Sequence, residues 1–284
     1  MGAQTHLSRL ALTPLLATLI ACAASAQALS PKRVLLVYQG KGAIPGCVAF
    51  EQSLSDSLHG AIGPDLEFYR EQLDSCRFPL SKQHKIAELR SQYADRRIDV
   101  LIFFGNTQDE VLPGVPVVQV SNLAFDQTPG AAPRKNFVYV SFNLDPRRTI
   151  DTARRLEPKA RKVLLIAGMG DLEHLYLAQY HQQLSGEKDL DIEEIGNGSV
   201  PDLLNRVSQL PRETIVLPIG YSRDPAGNSY LPRDIVARLA NASTAPVYAL
   251  SDTYVGIGAL GGYVCELGEI RRNCRRCRNT DPPR

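Results

Sequence analysis

The sequence predicts an α/β protein built as two Rossmann-like lobes with parallel sheets and a hinged cleft between them. Three observations carry that reading. Continuous apolar runs such as Val34-Leu35-Leu36-Val37, Leu101-Ile102-Phe103-Phe104, Val163-Leu164-Leu165-Ile166 and Ile215-Val216-Leu217 lack the alternation of a half-exposed strand, which marks strands covered on both faces. Segments of helical pattern separate these runs throughout, the order that gives a parallel sheet. The pattern also occurs twice, and 284 residues are enough for two cores of ordinary domain size.

In the first half, strands are expected at Arg33–Tyr38, Leu66–Leu73, Asp99–Phe104 and Val115–Val120. Pro45-Gly46 opens a helix through Leu58, and Ser81 caps one carrying Ile86, Leu89 and Tyr93 on one face. A short helix is expected between the third and fourth strands. After Phe137–Phe142 the second half follows: Asp145-Pro146 starts a helix to Leu156, Lys162–Ala167 is a strand, and Asp171 begins a helix to Leu184. Ile192–Ile195 is a strand, Val200–Leu210 a helix, Thr214–Pro218 a strand and Pro232–Leu239 the last clear helix. Val247–Leu250 reads as a further buried strand that breaks into Ser251-Asp252-Thr253-Tyr254 and then passes through Gly256, Gly258, Gly261 and Gly262.

This divides the chain into a leader, residues 1–26; a first lobe, residues 32–140 rejoined by about 252–264; a second lobe, residues 141–251; and an atypical basic tail, residues 265–284. The leader has Arg9 before an apolar run from Leu10 to Ala24, and Ala24-Ser25-Ala26 provides the small-residue cleavage pattern of a secretory signal. That places the mature protein in the periplasm, with lipidation of Cys22 as the competing route to a membrane tether. The tail carries five arginines between Arg271 and Arg278, and only Leu267 and Ile270 as apolar anchors.

A formal net charge of +2 gives no basic surface suited to nucleic acid. Neither a G-x-S-x-G elbow, an H-E-x-x-H pair nor a phosphate-binding loop is present, so no catalytic residues, metal ligands or cofactor are assigned. Gly256-Ile257-Gly258-Ala259-Leu260-Gly261 matches the dinucleotide fingerprint by letter, but polar residues separate it from the preceding strand and β-type residues follow it. It reads as a lobe crossing. Gly40, Gly42 and Gly46 sit between the first strand and a helix, where free backbone N–H groups suit an anionic ligand group.

In open parallel sheets, ligands bind beyond the carboxyl ends of the strands. The candidate ligand-binding residues at those positions are Gln39, Gly40, Asn106, Thr107, Asn122, Gly220, Tyr221, Asp252 and Tyr254, with Ser222 beside them. Amides, hydroxyls and rings with few charges suit a small polar or aromatic molecule rather than a reaction. Cys47 and Cys76 lie beyond neighbouring strands; a disulfide between them and two buried thiols are equally open readings.

The segments RVLLVYQG, IDVLIFFGN, PVVQVSN, FNLDPRRTIDTARRLEPKARKVLLIAG, ETIVLPIGYSRDPAGNSYLPRDIVARLA and APVYALSDTYVGIGALGGYV resemble the ABC transporter substrate-binding-like family. Its periplasmic binding fold (type I) also serves as the sensor region of bacterial hybrid histidine kinases. Over residues 32–264 the resemblance implies two lobes closing on a small-molecule ligand, such as an amino acid or an aromatic compound, without catalysis. The implied partner is an ABC transporter permease in the membrane, or a signalling partner if the chain is the sensing region of a truncated kinase. The tail departs from the family pattern, which continues into a helix after GGYV.

Overall fold

The computed structural model describes residues 31–106, 109–123, 136–269 and 275–276. The leader, Thr107, Ile270, Cys274 and Cys277 therefore lie outside the described residues.

Five parallel strands form the first sheet: β1 (Lys32–Tyr38), β2 (Leu66–Gln72), β3 (Val100–Phe104), β4 (Val117–Ser121) and β5 (Phe137–Ser141), in the order β2-β1-β3-β4-β5. Arg275–Arg276 adds a short antiparallel edge beside β5. Helix α1 (Pro45–Ile62) covers one face and α2 (Lys82–Gln92) the other. The two-residue period of β1 decides which side chain meets which helix. Val34, Leu36 and Tyr38 pack with Cys47 and Phe50 of α1, whereas Leu35 and Val37 pack with Ile86, Leu89 and Tyr93 on the α2 side.

The second sheet has the order β7-β6-β8, from β6 (Lys162–Ala167), β7 (Asp191–Ile195) and β8 (Thr214–Gly220). Helices α3 (Pro146–Leu156) and α4 (Asp171–Leu184) lie on one face, and α5 (Val200–Val207) and α6 (Pro232–Ala242) on the other. The same alternation sorts β6: Val163 and Leu165 meet Ile150 and Tyr180, while Leu164 and Ile166 meet Leu203, Val207, Ile235 and Leu239. The Asp145 carboxylate accepts from Arg148 N at 3.0 Å and fixes the start of α3, as its Asp-Pro sequence predicts.

Four local expectations need correction. Ser81 does not cap α2, because Pro79–Ser81 forms a 3-10 turn and the Ser81 hydroxyl donates to Phe78 O. In place of a short helix, the described residues 109–116 are turns around Pro113-Gly114. Val247–Leu250 forms only an isolated bridge to Val216, since its backbone is shared with the glycine loop: Leu260 N donates to Val247 O and Ala249 N to Gly261 O. That loop is no free crossing either. Ile257, Ala259 and Val264 pack on the second lobe's core, and a Cβ at Gly258 would meet Ala240 Cβ at 2.7 Å.

The chain rejoins the first lobe at Cys265 and Leu267. Leu267 is 5% exposed within the α1 cluster, and a Cβ at Gly46 would meet its Cδ1 at 2.6 Å. Glycine at 46 is thus a packing requirement. Leu144 touches the cores of both lobes.

Several surface carboxylates are held below their ordinary range: Asp189 by hydrogen bonding to Arg154, Glu193 by Lys162 and then Arg206, and Asp202 by Ser199 at the start of α5. Each has a lower pKa folded than unfolded, so its stabilisation is complete above its unfolded value and lost as pH falls through the folded one. The groups are solvent-screened, which keeps each effect small. A melting temperature that declines steadily below about pH 4 is expected; an unchanged value from pH 6 to pH 3 would contradict the ion-pair assignments.

Candidate functional site

The carboxyl ends of β1, β3, β4 and β8 and the amino-terminal turns of α4 and α6 enclose a cavity of about 400 Å³ between the lobes. This volume suits a small organic molecule. The first lobe contributes Tyr38, Phe104 and Phe142, and the second contributes Leu172, Tyr176 and Leu250. These make the walls mainly apolar. Tyr38, Phe50, Phe104 and Phe142 form a connected ring cluster with centroid separations of 4.9–5.9 Å, so the first-lobe wall is a rigid surface.

Side chains of one lobe reach backbone carbonyls of the other at the cavity's edge. Ser222 Oγ donates to Cys76 O at 3.3 Å, Ser229 Oγ to Arg77 O at 2.8 Å and Gln179 Nε2 to Asn122 O at 3.2 Å. The loop after β2 that presents the Cys76 and Arg77 carbonyls is held by an ion pair between Arg77 and Asp74, whose φ is +50°. Each contact is a neutral hydrogen bond, worth about 1 kcal/mol. The lobes are apposed by contacts weak enough to break.

Gln39, Gly40, Asn122, Gly220 and Tyr254 border the cavity, as does Ser222. Asn106, Tyr221 and Asp252 do not. Asn106 Oδ1 accepts from Ser121 Oγ at 2.8 Å and Gln119 Nε2 at 3.3 Å, which ties it into the first lobe. Tyr221 points into the second lobe's core, its hydroxyl donating to Gly198 O at 2.6 Å. Asp252 accepts from Leu267 N at 3.1 Å, and a Cβ on Gly46 would meet its Oδ1 at 2.8 Å. The anion beside the start of α1 is therefore the chain's own carboxylate. Gly42 N donates to Gln72 Oε1 at 3.3 Å. Even Gln39 is partly committed: its Oε1 accepts from Asn106 N at 2.6 Å, an approach possible because residue 105 is a glycine with φ +135°.

Glu173 and Tyr176 also border the cavity and were not singled out by sequence. They lie in the first turns of α4, after the glycine-rich end of β6, and so one element beyond the strand ends. Glu173 is 4% exposed; its Oε1 accepts from Ser222 N at 2.9 Å and its Oε2 has no hydrogen-bond partner.

Cys47 and Cys76 both border the cavity as free thiols, with no bridge between them. Burial, then the charges of Asp252 and Glu51, pushes the Cys47 thiol up to about 12; burial, then Glu173 and Asp74, does the same for Cys76. Both stay protonated at neutral pH and so make poor nucleophiles. Among the described residues no cluster of His, Cys, Asp and Glu could hold a metal ion.

No family model and no curated protein matches the chain. Solved structures do. The ABC domain from Streptococcus pneumoniae in complex with L-Trp superposes with a TM-score of 0.63 at 13% identity, over 86% of this chain and 82% of that one. A conserved domain protein from Vibrio cholerae gives 0.57 at 15% identity, over 84% and 80%. The ligand-free, open form of a substrate-binding protein with adhesive properties from Clostridium difficile gives 0.57 at 11% identity, over 85% and 82%. The chain has the type I periplasmic-binding fold.

Proposed function

We propose that this type I periplasmic-binding fold belongs to an exported solute-binding protein whose lobes close over one small organic ligand and present it to an ABC transporter permease. The observation that carries the reading is the mainly apolar cavity between the lobes, bordered by strand ends of both and edged by hydrogen bonds running from one to the other. Such a site couples occupancy to closure, because a ligand touching both lobes favours the apposed state by its difference in affinity between the two states. Export is supported by the apolar run from Leu10 to Ala24 ending in Ala24-Ser25-Ala26. Among the described residues no helix is long and apolar enough to cross a membrane. The mainly apolar walls and the protonated thiols of Cys47 and Cys76 suit binding better than catalysis.

A thermal-shift titration of the purified protein against amino acids, aromatic acids, purines and polyols tests the proposal. A saturable rise in melting temperature with one chemical class is expected, since a ligand that binds only the folded form stabilises it by mass action. A protein that melts cooperatively and responds to no class at millimolar concentration would count against a solute-binding role.

A further inference from the structure

We propose that Glu173 reads the charge of the ligand: the molecule bound between the lobes carries a protonated amine that docks on this carboxylate, flanked by the rings of Tyr176 and Tyr254. The inference rests on the solute-binding reading above and names the ligand class of the same cavity.

Glu173 is the third residue of α4 and borders both the main cavity and a compartment of about 60 Å³ beside it. Burying a carboxylate is costly unless its oxygens find donors. One oxygen is satisfied by Ser222 N, and the other has no donor although the residue is 96% buried. None of the described ion pairs includes Glu173. Of the cations bordering the two cavities, Arg77 pairs with Asp74 and Lys82 with Asp109 at 2.5 Å, while Lys41, Arg223 and Arg233 are in none of the described ion pairs, with Glu173 or otherwise. A carboxylate at the first turn of a helix suits the helix field, but that field supplies no donor to the second oxygen.

The surroundings fit an ammonium better than a neutral hydroxyl. Tyr176 follows Glu173 by three residues and so shares its helix face, and Tyr254 borders the cavity with it. Ring faces attract a desolvated cation. Burial, with the charge of Glu173 among the further causes, keeps the hydroxyls of Tyr176 and Tyr254 protonated, so neither ring brings a competing charge. The internal rivals are Arg223, which borders the small compartment, and Arg233, which borders the main cavity; the Nε of each is also without a partner. A carboxylate kept for either arginine would matter for folding and not for ligand choice.

The experiment is isothermal titration of the full chain with matched pairs differing only in the amine: L-tryptophan against indole-3-propionate, L-phenylalanine against 3-phenylpropionate, and tyramine against 4-ethylphenol, with myo-inositol as a neutral polyol. In at least one pair the amine is expected to bind about tenfold or more tightly, the increment of a charge-assisted hydrogen bond. Glu173→Gln keeps an acceptor for Ser222 N and is expected to erase that preference, read as the ratio of the two affinities within each pair. Desamino partners binding as tightly as amines, inositol binding alone, or a variant that loses stability but keeps the preference would each overturn the inference while leaving a solute-binding protein. No heat from any probe with a cooperatively folded protein would overturn both. If Glu173→Gln fails to fold, Tyr176→Leu takes its place, with a severalfold loss confined to the amine members expected and an equal loss in both members overturning the inference.

Discussion

Leu164→Ala is expected to destabilise the protein by about 3–5 kcal/mol. Leu164 has no exposed surface and sits in β6, the central strand of the second sheet, between Glu193 of β7 and Val216 of β8. Its side chain fills the layer under α5 and α6 with Leu203, Val207 and Leu239, each fully buried. Truncation removes the transfer energy of three carbons and leaves a void, because a strand paired on both sides cannot move in to fill it. Chemical denaturation would show this as a lower midpoint at an unchanged slope. A loss under about 1 kcal/mol would mean that the layer repacks freely, against the packing described.

Gly168→Ala is the second substitution with a large expected effect, and it strikes stability and binding together. A Cβ at residue 168 would lie 2.6 Å from Arg223 O, 3.1 Å from the Cα of Tyr221 and 3.2 Å from Ser222 N. All three neighbours are backbone, so no side chain can swing aside. The same backbone is stitched to this strand end, with Gly168 N donating to Gly220 O at 2.8 Å and Met169 N to Arg223 O at 2.9 Å. Accommodating one methyl group must push the end of β8 away, at a cost of about 2–3 kcal/mol. Ser222 would move with it, taking along the N–H that orients Glu173 and the hydroxyl that reaches Cys76. Denaturation and ligand titration on the same variant would separate the two effects. Full affinity in a folded variant would show that the strand end does not position the cavity wall.

The layers were legible in the sequence because β1, β3, β6 and β8 are covered on both faces, which leaves short unbroken apolar runs whose length and flanking polar and glycine residues mark strands rather than buried helices. Short elements were less legible. Ser81 has the residue type of a cap, but the preceding proline turn gave its hydroxyl another acceptor; Val247–Leu250 has a strand's composition but spends its backbone on the glycine loop. In the site, the rule that ligands gather at strand ends found Gln39, Asn122, Gly220 and Tyr254 on the cavity wall. It could not separate Gly220 from Tyr221, since consecutive residues of a strand face opposite sides. Asp252 was beyond reach for another reason: its partner, the Leu267 backbone, comes from a turn that no local pattern forecasts. An acidic residue in a helix's first turn has an ordinary explanation in the helix field, and this hid Glu173 until its unpartnered oxygen was seen.

The lobes are joined in three places: at residues 142–145, at Ser251–Tyr254 between α1 and α6, and where Cys265 bridges back to Ser251 before Leu267 enters the first core. A single tether is a swivel, free to turn in every direction. Three tethers together act like the knuckles of a door, resisting twist and slide while permitting one swing. Ligand choice then becomes a matter of angle, since a molecule too thick or too thin for the gap leaves the panels ajar or loose.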